Sequence, residues 1–294
     1  MKNEVNKKME ILRVVIYTVI VMLLIFGLNH LLPENASTSI GMMTPLTAHI
    51  LTRLLTSDKT DIDGLYLRAH LKGNVKYYWY ALLYGVALNL IGGILTRIFI
   101  FPNDGFLPAD KLHSALCQIP LTFSMTFMLM TVCLGEEYGW RAYLTPKLET
   151  FLPDWAVFMV QGIIWGMWHK DMLDAGGNFG KDHAFYPWAN YVLMCISCMF
   201  FGMFLTYLTR KTHSIYPAAI CHSAIDCIQV GALLYPDLPE DFNETHGEIV
   251  FHVGILSLIP FSVIVGTIAF ILMQKDKKVK IIANTPQTPL ENVA

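Results

Sequence analysis

Charge is scarce in this sequence. Only 15% of its 294 residues are Asp, Glu, Lys or Arg, against roughly a quarter in an ordinary soluble domain. The net charge is −2, and no exposed helix carries a basic cluster, so a nucleic-acid partner is excluded. Paired loop cysteines are missing too. All six cysteines (Cys117, Cys133, Cys195, Cys198, Cys221, Cys227) fall in apolar segments, which excludes a disulfide framework. The lone CxxC of Cys195 and Cys198 reads as small apolar packing residues. No internal repeat or low-complexity tract stands out.

Long apolar runs are abundant, and they recur along the whole chain. A bilayer core about 30 Å thick needs roughly 20 apolar residues per crossing helix. The first run, Ile11 to Leu32, is longer than the ~7–15 residues of a signal-peptide core and precedes no small-residue cleavage site. It is expected to stay as a span. The expected spans are 11–32, 40–56, 77–100, 113–146, 155–175, 188–209, 214–235 and 250–273. The second is short and carries His49 and Arg53. The fold class that follows is all-α, a polytopic membrane helix bundle of about eight transmembrane helices, forming a single transmembrane domain over residues 1–294.

Orientation follows from Lys and Arg. One set of connecting segments and helix ends holds Lys2, Lys7, Lys8, Arg13, Lys59, Arg68, Lys72, Lys76, Arg141, Lys147, Arg210, Lys211 and the tail lysines 275, 277, 278 and 280. The other holds only Arg97, Lys111, Lys170 and Lys181, together with the acidic stretch 236–249. Both termini are therefore expected in the cytoplasm. Asn35-Ala-Ser37 and Asn243-Glu-Thr245 match the glycosylation pattern on the outer side, a pattern common by chance.

Ionisable residues within a span are costly and tend to be functional. Three spans carry them at helical spacing: Glu136-Glu137-Tyr-Gly-Trp-Arg141, Trp165-Gly-Met-Trp-His169 and His222-Ser-Ala-Ile-Asp226. Glu136 and Glu137 point about 100° apart on a helix. Glu137 and Arg141 share a face, with the carboxylate on the N-terminal side, and read as a structural or substrate-positioning pair. Glu136 then has no sequence-local partner, which suits a general base in a low-dielectric site. Asp226 lies four residues from His222 and could orient its ring, or both could face a common ligand. Trp165, four residues before His169, would wall the same site. Gly162 and Gly166 form a GxxxG that lets another helix come close.

A depth estimate tests whether these groups can meet. At ~1.5 Å per residue, Glu136, His169 and His222 lie roughly 15, 21 and 12 Å from the cytoplasmic ends of their helices. This arrangement needs the fourth helix to run through the Glu-Glu motif. It also needs the fifth to continue past His169 to about Gly176-Gly177, and it implies a water-filled cavity.

At these residues the chain resembles the CPBP intramembrane proteases, the CAAX protease and bacteriocin-processing (Abi-type) family. The similarity spans about 115–235, with the catalytic core at about 113–235. The resemblance implies an endopeptidase of a multi-pass, bacterial cell-membrane protein, with its site open to the cytoplasmic side. It implies that Glu136 activates water, while His169, His222 and Asp226 bind or orient the reacting groups. The implied partners are membrane lipid and a peptide or protein substrate, lipidated or leader-bearing. Zinc held by Glu136, His169 and His222 is an alternative the resemblance leaves open. Where the third motif ends in Asn, its amide can donate to an oxyanion. Asp226, if ionised, cannot. Protonation, orientation of His222 and cation binding are its alternatives. Two readings from other classes stand beside the peptidase: a proton-coupled transporter and a non-proteolytic binding or immunity factor.

Overall fold

The computed structural model describes residues 6–31, 40–59, 66–102, 109–228, 234 and 242–284. Among these the regular structure is helical throughout: α1 (Lys7–Leu31), α2 (Thr44–Leu55), α3 (Val75–Phe99) and α4 (Ala109–Glu137). α4 runs without interruption into a π-helical segment (Tyr138–Leu144) and α5 (Thr145–Leu148). Then come α6 (Asp154–Trp168), α7 (Lys170–Asp174), α8 (Trp188–Thr212), α9 (Tyr216–Cys227), α10 (Phe242–Thr245) and α11 (Gly247–Asn284). The expected Asn35-Ala-Ser37 pattern, the end of the expected 214–235 span and residues 236–241 of the acidic 236–249 stretch lie outside the described residues.

Five helices are long and apolar enough to cross a membrane by length and composition: Lys7–Leu31, Val75–Phe99, Ile119–Leu148, Trp188–Thr212 and Gly247–Lys278. This corrects the expected lengths of two spans. α2 has 12 residues and α6 has 15, so they rise about 18 Å and 22 Å, well short of a ~30 Å core. The fifth helix does not continue unbroken past His169. It ends at Trp168, the chain bends at His169, and α7 is a separate turn that stops before Gly176 at φ +92°.

The bundle is inside-out by the standard of a soluble protein. Leu23, Leu54, Met128 and Trp188 expose about seven-tenths of their surface, as expected where lipid is the solvent. Meanwhile Glu136, Glu137, Arg141, Gln161 and His222 are buried. α8 is the hub, packing against α6 and α11, while α9 packs against α3 and α4, and α1 against α2. The GxxxG expectation holds for α6, and its partner is α8. A Cβ on Gly162 would sit 2.6 Å from Met199 Cβ, and one on Gly166 2.6 Å from Cys195 Cα.

Consecutive long elements alternate in direction, which defines two ends of the bundle. The N-terminal end, here the near face, is laced by ion pairs. Lys147 Nζ reaches Asp58 at 2.6 Å and Glu10 at 3.1 Å, and Arg13 pairs with Glu10 at 2.5 Å. Lys277 pairs with Asp154 at 2.5 Å and Lys211 with Asp276 at 2.6 Å. Glu10, Asp58 and Lys147 are nearly inaccessible, so their charges are matched within the cluster. The far face is joined by contacts such as the Ala184 N–H to Glu248, at 2.8 Å.

The close α6–α8 approach generates a stability prediction. Gly162→Leu forces the helices apart and should cost about 1–3 kcal/mol, read as a lowered Tm in detergent. Gly27→Leu, whose Cβ direction is open, should leave Tm unchanged. Equal Tm for the two variants would refute the tight contact.

Candidate active site

The site is built where the π-helical segment, the end of α6 and the middle of α9 converge. A π turn widens the helix and often marks a functional position. Here it follows directly on Glu136 and Glu137 and carries Trp140 and Arg141 inward. The Glu136 carboxylate is 1% exposed. Its Oε1 accepts two indole hydrogen bonds, from Trp165 Nε1 at 2.6 Å and Trp140 Nε1 at 3.1 Å. Its Oε2 lies 4.0 Å from His222 Nε2. The two oxygens are thus inequivalent: one is pinned, the other faces the imidazole.

Glu137 does more than pair with Arg141. Arg141 Nη1 donates to Glu137 Oε1 and Nε lies 3.1 Å from Oε2. His222 Nδ1 also donates to Oε1, at 2.8 Å. The guanidinium sits 4.0 Å from the centroid of the Trp165 ring, a cation–π arrangement. One carboxylate therefore ties α4, the π segment and α9 together. The sequence pointed to Asp226 as the group that could orient His222. The structure gives that place to Glu137, while Asp226 Oδ2 stands 3.9 Å from Nε2.

Both imidazoles are held through Nδ1. His169 Nδ1 donates to the Trp165 carbonyl at 2.8 Å, the i−4 contact left open where α6 ends. Fixing Nδ1–H leaves Nε2 of a neutral ring as an acceptor. His169, His222, Glu136 and Asp226 line one cavity of about 660 Å³, with Ile25, Asn29, Met42, Trp168, Asp171 and Gly176–Gly177. That volume lies in the range of small-molecule and peptide sites.

The structure brings all four expected reactive side chains to one cavity. Sequence reading did not find Trp140, although its spacing of four from Glu136 was visible. Nor did it find Trp168, whose Nε1 donates to Thr44 at 3.0 Å and bridges to α2, or Asp171, whose Oδ2 accepts from Asn29 at 2.8 Å. The last two depend on helices distant in sequence.

The zinc alternative meets a geometric test here. Among the described residues, no group of three or more His, Cys, Asp or Glu side chains converges as metal ligands. Glu136 Oε1 is occupied by two indole donors, and Glu137 engages the other side of His222. The Glu136, His169, His222 set is not gathered into a cage.

The cavity reaches from Glu136 toward the far face. Its outer lining comes from the last two turns of α1, from α7 and from Gly176–Gly177.

No curated protein matches the chain. Residues 118–228 match the family model described as "Type II CAAX prenyl endopeptidase Rce1-like", a segment running from α4 through α9 and holding both glutamates, Arg141, both histidines and Asp226. Over that segment the chain is similar to the Rce1-like type II CAAX prenyl endopeptidases.

Proposed function

We propose that this protein is an intramembrane endopeptidase in which Glu136 activates the attacking water. The observation that carries the reading is the unequal treatment of the two Glu136 oxygens. Two indole donors hold Oε1, so Oε2 is the oxygen left to take a proton from water, in a cavity deep enough to hold one. His169 Nε2, with its lone pair turned to the cavity by the Nδ1 bond, accepts the water's second hydrogen and sets its direction of attack. A substrate carbonyl placed between the water and His222 receives a hydrogen bond from a protonated Nε2 as its oxygen becomes negative. His222 thereby supplies the donor that an ionised Asp226 cannot. Glu136 then returns the proton to the leaving amine, as a general base becomes a general acid. Glu137 and Arg141 are positioning residues acting through His222 and Trp165.

The substrate is a peptide or protein segment. The family description points to prenylated CAAX chains as one class, and lipidated or leader-bearing peptides are others. On sidedness, the near face carries most of the Lys and Arg residues of the chain. The near face is therefore assigned to the cytoplasm, and the cavity opens to the opposite side.

Three outcomes are expected. Glu136→Gln should lower kcat by about 10²–10⁴-fold in a purified cleavage assay while the protein still accumulates in membranes; normal cleavage by this variant would end the hydrolase reading. Trp165→Phe removes the shorter indole bond and should lower kcat about tenfold with little change in KM; a loss confined to KM would mean the indole serves substrate binding. In intact cells, a membrane-impermeant thiol reagent should label Ala175→Cys in a cysteine-free background but not Lys72→Cys. The reverse pattern would assign the cavity to the cytoplasm.

A further inference from the structure

A peptide held for hydrolysis at membrane depth needs partners for its own backbone. Each N–H or C=O taken out of water without a hydrogen bond costs free energy, and non-helical chain persists at that depth only where polar groups or water meet it. An extended peptide commonly finds such partners on the edge of a sheet. Among the described residues there is no strand to offer one, so the partners have to come from the side chains that line the cavity.

Beyond the four reactive groups, the polar side chains of that lining are Trp168, Asn29 and Asp171. The Trp168 indole N–H is spent on Thr44. The turn at Gly176–Gly177 is spent on itself: both N–H groups donate to the carbonyls of Leu173 and Met172, and both carbonyls accept from Gly180 and Phe179. Asn29 and Asp171 remain. They project from facing walls, α1 and α7, and meet at 2.8 Å through Asn29 Nδ2 and Asp171 Oδ2. Both are half-buried. Their contact uses one of the amide's two N–H groups and one of the carboxylate's two oxygens. A second N–H, an amide oxygen and a carboxylate oxygen are the complement of the N–H and C=O groups along an extended chain. The place is also suitable. Asp171 stands two residues after His169, just past the bend that ends α6. Asn29 is one helical turn beyond Ile25, on the same cavity-lining face of α1.

From these observations we infer that Asn29 and Asp171 form a subsite that grips the main chain of the substrate beside the scissile bond. The inference rests on the peptidase reading and names what that same site recognises: an extended segment, read through its backbone. Asp171 accepts a substrate N–H. Asn29 holds the Asp171 carboxylate in place and meets the adjoining backbone group. A helical segment has its N–H groups bonded internally, so it has to unwind before it fits. Prenylated CAAX chains and other lipidated or leader-bearing peptides present the same backbone, and the subsite takes each of them. No covalent step beyond peptide hydrolysis is involved.

The test is ester-for-amide replacement, which deletes one backbone N–H and leaves every side chain in place. A peptide cut in a Glu136-dependent manner is first found by mass spectrometry, from a proteome-derived library incubated with the full-length protein in detergent. Synthetic versions carrying a single ester at each bond flanking the cut, the scissile bond excepted, are then compared with the parent. Expected is one position at which the ester lowers kcat/KM about tenfold, chiefly through KM, as for loss of a hydrogen bond to a charged group. At that position Asp171→Ala and Asn29→Leu should bring the amide-to-ester ratio close to one, and Asp171→Asn should leave an intermediate ratio. The ratio is internal to each preparation, so a variant that folds only in part still reports it. Equal losses for amide and ester in the variants, with the ratio unchanged, would make the pair a structural tie between α1 and α7. That result would overturn the inference and leave the peptidase reading standing, as would a wild-type protein indifferent to the ester at every position. Absence of any Glu136-dependent cut would remove the peptidase reading, and the inference with it.

Discussion

The buried carboxylate of Glu137 is the interaction on which the rest of the site depends. It accepts from Arg141 one helical turn away and from His222 on a distant helix. A charge in this position is costly unless its hydrogen-bonding capacity is met by well-placed partners. That requirement fixes the geometry. Arg141 must lie along the π segment with its guanidinium on Trp165, and α9 must present His222 by Nδ1. Once these are set, Glu136 on the adjacent residue points about 100° away, into the space that α6 and α9 enclose.

A second constraint is the shortness of α2 and α6. A helix crossing the whole bilayer has its backbone groups satisfied from end to end. α6 stops instead at His169, and the Trp165 carbonyl thereby left without an intrahelical donor takes the His169 ring. The described part of α9 stops at Cys227, one residue past Asp226. α2, equally short, meets the site through Thr44 and Trp168. Helix ends are where backbone groups need other partners and where a cavity can open, so the ends of these helices beside Glu136, His169 and His222 leave room for the pocket. The GxxxG of α6 serves the scaffold. By bringing α6 onto α8, it holds the Trp165–His169 turn at the depth of Glu136.

Charge is sorted on two scales. At the near face, Glu10, Arg13, Asp58 and Lys147 neutralise one another in a buried cluster that ties α1, the end of α2 and α5 together. At the cavity Glu136, Asp171 and Asp226 stand with His169 and His222 around the space a substrate would enter. Matched charges stabilise the frame, whereas unmatched ones remain available to a ligand. At the site Glu137 is met by Arg141, whereas among the described residues Glu136 and Asp226 face His222.

The residues by themselves determined the helical class, the positions of the apolar runs and the three motifs, because bilayer thickness and helical periodicity act locally along the chain. Glu136, Glu137, Arg141, Trp165, His169, His222 and Asp226 were all legible from spacing and from the cost of charge in lipid. The i, i+4 relation of Glu137 and Arg141 was legible for the same reason. Tertiary structure alone decided that Glu137 rather than Asp226 orients His222, since contacts 85 residues apart leave no periodic trace. It likewise decided that Trp140 and Trp165 pin one oxygen of Glu136, that α6 breaks at His169, and that the cavity leads away from the basic face. Each depends on which helices adjoin in space, and packing among distant segments sets that.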